Sequence, residues 1–178
     1  YGTDWDGEHH LADLLEELCK LDFHWIRLHY LYPDQMDDHL IDVIAREEKI
    51  LKYLDIPLQH CNDTILRRMN RKGDKAYIED LLDKLRERIP NLVLRTSLIA
   101  GLPYEGEEEF EELCEFLREV QIERAGVFPY SPEEGTAAAR MPERVDTAEA
   151  ERRAELKRTI VKEIKEWAVA LVTALVVV

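Results

Sequence analysis

Four short runs rich in branched and aromatic residues alternate along this chain with helical patterns. They are "HWIRLHYLY" (24–32), "KYLDIPL" (52–58), "LVLRTSLIAGLP" (92–103) and "RAGVFPYS" (124–131). Strands that alternate with helices pack as a parallel sheet with crossover connections. Helices are expected over 9–20, over "DDHLIDVIAREE" (37–48), and over "DTILRRMN" (63–70) from an Asp cap to a stop at Gly73. Three more are expected: 74–89 from an Asp cap to Pro90, 105–121, and a long helix from Asp146 to about Leu175. The order is one helix and then four strand–helix units. The expected fold is therefore α/β, a partial parallel barrel of about four βα units over 1–145, closed by a C-terminal helix over 146–178. Four strands leave two raw sheet edges.

Charge narrows the function. The net charge is −14, which argues against a chain that wraps nucleic-acid phosphates. Cys19, Cys61 and Cys114 are odd in number, widely spaced and without a CxxC pair. That pattern suits reduced thiols in a cytoplasmic protein better than a disulfide framework. The start, "YGTDWDGEHH", lacks the apolar core of a signal peptide. The end, "WAVALVTALVVV", is apolar from Trp167 but shorter than the roughly 20 residues of a membrane span. No phosphate loop, dinucleotide fingerprint or Ser-His-Asp order is present.

In a parallel sheet the ligand site lies at the carboxyl ends of the strands. Polar residues gather there: Gln59 and His60 after the second strand, Ser97 on the third, and Tyr130 and Ser131 at the end of the fourth. Arg95 lies inside an apolar strand and needs an anion. A ligand carboxylate or phosphate and an acidic neighbour satisfy it equally. His60 beside Cys61 makes a poor metal chelate without spaced partners, so a loop histidine or a ligand contact is expected instead. Arg67, Arg68, Arg71 and Lys72 read as a solvated basic face rather than an RNA site. The acidic run Glu105 to Glu112 reads as a helix start, where the dipole favours carboxylates.

"WIRLHYLYP", "YLDIPLQH", "ILRRMNRKG", "LRTSLIAGLP" and "GVFPYSPEEGT", in this order and spacing, resemble the RimO-type radical-SAM methylthiotransferases over roughly residues 1–155. The related tRNA methylthiotransferases share the plan but differ at "YLYP", "DIPLQH" and "GVFPYSPEEGT". The resemblance implies the second half of a radical-SAM TIM-like barrel. It also implies an enzyme that adds a methylthio group to the β-carbon of an aspartate in a small-subunit ribosomal protein. The cofactors implied are S-adenosylmethionine and two 4Fe-4S clusters. By position, Gln59, His60, Arg95, Ser97, Ile99, Gly101, Tyr130 and Ser131 would bind S-adenosylmethionine. Arg95 would pair with its methionine carboxylate, and Ile99 and Gly101 would meet the adenine. The CxxxCxxC motif that holds the radical cluster is absent from these 178 residues, so the chain alone is expected to be inactive. Tyr104 stands where the family has the glycine of a Pro-Gly-Glu-Thr turn. Neither a membrane nor a direct nucleic-acid partner is expected. A non-catalytic α/β module that self-associates through a sheet edge or the apolar residues 167–178 is the rival from another class.

Overall fold

The computed structural model describes the backbone of residues 1–176 and the side chains of residues 1–164 and 166. The strands are β1 (Tyr53–Asp55), β2 (Val93–Ala100) and β3 (Arg124–Pro129). They form one parallel sheet in the order β1-β2-β3. In register, Asp55 pairs with Arg95, Arg95 with Arg124, and Ile99 with Phe128. The helices are α1 (Thr3–Asp6), α2 (Leu11–Lys20), α3 (Asp38–Arg46), α4 (Asp63–Arg68), α5 (Lys75–Arg88), α6 (Glu107–Val120) and α7 (Thr147–Val176). The expected self-association through 167–178 falls on side chains outside the described residues.

Helix starts follow local chemistry. Asp37 accepts from the Leu40 N–H at 2.8 Å and Asp74 from the Tyr77 N–H at 2.9 Å, so each satisfies a donor at its helix N-terminus. At α4 the cap is Asn62 rather than Asp63. Its Oδ1 accepts from Thr64 and Ile65.

The expected first strand, 24–32, does not form. It runs beside β1 through a single bridge, Ile26 to Ile50, and one more bond, Leu31 N–H to the Asp55 carbonyl at 2.9 Å. Ile26 and Leu28 face inward between exposed Trp25, Arg27 and His29, but the alternation stops there, with Tyr30 73% exposed and Leu31 buried. Tyr30 turns left-handed at φ 56, which breaks any ladder. β1 is shorter than expected because Pro57 has no N–H to donate. Pairing resumes at Gln59, which bridges to Leu98.

β2 alternates strictly between buried and half-buried residues. Leu94, Thr96, Leu98 and Ala100 are buried, while Arg95, Ser97 and Ile99 line the opposite, open face. That open face carries the site. Behind the sheet, α7 packs against β2 and β3. Gly101, at φ 80, lets it approach: a Cβ there would stand 2.3 Å from the Ala150 Cβ.

Leu102 to Glu105 forms a turn closed by the Glu105 N–H on the Leu102 carbonyl at 3.0 Å. Pro103 takes the second place, and Tyr104, at φ 68, the third, which normally asks for glycine. The tyrosine therefore holds this turn at the expense of strain. The Arg68 guanidinium lies 3.4 Å from its ring centroid and offsets part of it. Tyr104→Gly is expected to be more stable than Tyr104→Ala by about 1 kcal/mol, because both lose the Arg68 contact and only alanine keeps the strain. Urea unfolding midpoints of the two variants check this.

Candidate functional site

A cavity of about 580 Å³ opens at the carboxyl rim of the sheet, within the range typical of small-molecule sites. Its wall draws on each strand: Pro57 and Gln59 after β1, Ser97 and Ile99 of β2, and Phe128 to Ser131 at the end of β3. Tyr30 and Tyr32 form its lip. A second, mostly apolar cavity of about 330 Å³ adjoins it and shares Ile99 and Tyr130. Ile65, Met69, Leu102 and Met141 line the second cavity, with Arg68 and Asn70 among its polar groups.

The structure thus brings together five of the expected residues: Gln59, Ser97, Ile99, Tyr130 and Ser131. The other three do not line it, although Arg95 shares the face of β2 that carries Ser97 and Ile99. Arg95 has the acidic neighbour that the sequence offered as one of its two partners. Its Nη1 donates to Asp55 Oδ1 at 2.7 Å and lies 3.5 Å from Ser97 Oγ, and Asp55 is buried. Gly101 is buried under α7. His60 is fully buried on the far side of the sheet.

His60 faces a carboxylate rather than the cavity. The Asn62 N–H donates to its Nδ1 at 3.0 Å, so the ring proton sits on Nε2. That nitrogen lies 3.4 Å from Glu105 Oε2, too poorly aligned for a hydrogen bond. Glu105, read from the sequence as part of a helix start, is instead a buried loop residue preceding α6. Its Oε1 lies 3.4 Å from both Lys157 Nζ and Arg153 Nη1. Burial pushes the Glu105 carboxyl up, but the His60 contact and the Lys157 charge outweigh it and hold it down at about 2. Burial lowers both the Lys157 ammonium and the His60 imidazole.

Sequence reasoning missed Arg71. α4 ends in a Schellman-like motif: Asn70 is left-handed at φ 56, and the Arg71 N–H donates to the Leu66 carbonyl at 2.9 Å. This turns Arg71 into the cavity wall. Its Cζ lies 5.0 Å from the Tyr32 ring centroid. Its Nη1 is buried with no hydrogen-bond partner, and so is the Tyr130 hydroxyl. A buried donor left unmatched is costly, and here both border the same cavity. An anionic group is the natural partner of the guanidinium.

A model of the radical SAM superfamily matches residues 4–117. The chain belongs to the radical SAM superfamily. It is 55% identical over 146 residues to the ribosomal protein uS12 methylthiotransferase RimO of Anaeromyxobacter sp. (strain Fw109-5), covering 82% of this chain and 31% of that one. The RimO of Myxococcus xanthus is 52% identical over 153 residues, covering 86% and 32%. This radical SAM chain therefore spans about a third of the length of these curated relatives. Among solved structures, coproporphyrinogen III oxidase (HemN) from Escherichia coli, a radical SAM enzyme, aligns with a TM-score of 0.70 at 21% identity, covering 86% of this chain and 36% of that one. SuiB of Streptococcus suis bound to S-adenosylmethionine aligns at 0.55 and 19%, covering 85% and 33%. These likenesses establish the fold, the α/β partial barrel expected from the sequence, with three paired strands in place of four.

The cavity fits the family's S-adenosylmethionine in size and in its unmatched donors. Cys19, Cys61 and Cys114 belong to no converging group of metal-ligating side chains among the described residues. Cys61 is buried, its thiol pushed up to about 12 by burial, and Cys114 is buried in α6. Among the described residues the one converging group of metal-ligating type is Asp13, Glu16 and His39, exposed or half-exposed on α2 and α3, where Arg46 already pairs with Glu16. Also among the described residues, no helix is long and apolar enough to cross a membrane.

Proposed function

We propose that this chain provides the S-adenosylmethionine-binding half of the barrel of a ribosomal protein uS12 methylthiotransferase. The reaction is addition of a methylthio group to the β-carbon of an aspartate of that protein, in the cytoplasm. The observation that carries the reading is identity of 47–55% to enzymes of that name across four-fifths or more of the chain. S-adenosylmethionine and a reduced iron–sulfur cluster, when bound, would supply the one-electron chemistry that an unactivated carbon requires. Two such clusters belong to this reading, with ligands outside the three cysteines present here.

The chain's own residues bind and orient. Arg71 takes the methionine carboxylate with its unmatched Nη1, and Tyr32 holds the guanidinium by stacking. Ile99 and Tyr130 offer the apolar walls shared by the two cavities, suited to a flat base. Gln59, Ser97 and Ser131 present polar atoms around the sugar. Arg95, beside Ser97, is engaged by Asp55. Tyr30 and Tyr32 on the lip exclude water once substrate closes over them.

Exchanging the matched segment of the Myxococcus relative for this one tests the reading. Mass spectrometry of uS12 should show a methylthio group on its aspartate. Modified tRNA, or unmodified uS12 from a chimera that still binds S-adenosylmethionine, would refute it. The isolated chain, reconstituted anaerobically, should hold close to no iron and form no deoxyadenosine.

A further inference from the structure

A lysine with no exposed surface is rare, and Lys157 is one. Its ammonium lies 3.4 Å from Glu105 and 5.0 Å from the Phe110 ring centroid. Arg153, one turn earlier on α7, donates to the Glu105 and Gly106 carbonyls at 2.7 and 3.1 Å and reaches Glu107 and Glu149. Burying so many charges yields little net stability. Apolar residues would anchor a helix as well, so the cluster calls for another purpose.

Its position supplies one. Glu105 stands between α7 and His60, with its Oε2 3.4 Å from His60 Nε2, and His60 follows Gln59, which lines the cavity. Gln59 is left-handed at φ 72, a strained state for a side chain of its kind. Its N–H donates to the Ser97 carbonyl at 2.8 Å, and its carbonyl accepts from Ile99 at 2.9 Å. Strain persists only where the surroundings over-determine it. Two neighbouring bonds clamp Gln59 to β2, and the residue after it is fixed by Asn62 on one nitrogen and faces Glu105 with the other.

We propose that Glu105, held by Lys157 and Arg153, is a positioning residue that fixes His60 and, through it, the strained Gln59. The docking of α7 then sets the shape of the ligand cavity from the opposite face of the sheet. The proposal rests on the cavity being the S-adenosylmethionine site, but its first test does not.

That test compares Glu105→Gln, Lys157→Met and Lys157→Arg with Ile160→Ala. Ile160 is a buried residue of α7 that is not a partner of Glu105. Backbone amide spectra and hydrogen exchange are recorded on the ligand-free chain. At matched global stability, Glu105→Gln and Lys157→Met should shift the Gln59 and Ile99 amides and speed their exchange about tenfold, in the middle of the range for coupling between non-contacting positions. Lys157→Arg should largely restore them, and Ile160→Ala should leave them alone. Unchanged Gln59 and Ile99 amides, or equal changes in Ile160→Ala, would overturn the proposal. If Lys157→Met does not fold, Glu105→Gln, which keeps the shape, decides the matter. S-adenosylmethionine affinity should fall by a similar factor in the same two variants. A wild-type chain that does not bind it refutes the reading of the cavity, while the amides still judge the network.

Discussion

Replacing Arg71 by alanine is expected to weaken S-adenosylmethionine binding by about 10- to 100-fold, measured by calorimetry on the chain. A hydrogen bond to a charged group contributes about 1.5–3 kcal/mol, and each 1.4 kcal/mol is about a factor of ten. Folding should be little affected, because the buried Nη1 makes no hydrogen bond and only the Tyr32 ring contact is lost. Arg71→Lys should fall between, since an ammonium keeps the charge but loses the planar fork. Equal affinity in wild type and Arg71→Ala would remove Arg71 from the site.

Arg95→Ala should do the reverse. Asp55 is buried, and Arg95 is its close charged partner. Removing the arginine leaves the buried carboxylate with only His29, 3.8 Å away, beside it; breaking a fully buried pair costs about 3–5 kcal/mol. The Arg95 side chain is 31% exposed, so water screens part of this and about 2–3 kcal/mol is expected. For a chain of this length that lowers the melting temperature by about 5–10 °C. S-adenosylmethionine affinity, corrected for the folded fraction, should stay within about threefold, less than one hydrogen bond. A large affinity loss at unchanged stability would return the carboxylate to Arg95.

The contrast between the two arginines shows what the sequence could and could not say. Arg95 stood out because a charge interrupts an apolar run. That signal is about burial, and a neighbouring carboxylate answers it. Arg71 sat in "RRMNRKG", among other basic residues, and looked like a solvated face. Its signal was local geometry: an asparagine past the end of a short helix accepts the left-handed turn, and the next residue is then turned back toward the sheet. Composition does not register that.

The parallel order and the helix caps were legible because period, Asp caps and Pro stops act locally. The segment 24–32 misled because alternation records one buried side, not a hydrogen-bonded partner. Glu105 and Lys157 were invisible for the opposite reason. Each lies in a charged run, and only the packing of α7 onto the sheet singles out one glutamate and one lysine for burial. The parallel order pointed to the carboxyl rim, and five of the eight expected positions line the cavity there. His60 faces the other side of the sheet and Gly101 lies under α7, while Arg95, on the same face as Ser97, is engaged by Asp55.

The most direct test of the account is a titration of the labelled chain with S-adenosylmethionine, followed by amide and side-chain NMR. The account predicts saturable shifts grouped at Gln59, Arg71, Ser97, Ile99, Tyr130 and Ser131. No shifts up to the solubility limit, or shifts grouped away from the carboxyl rim of the sheet, would contradict it.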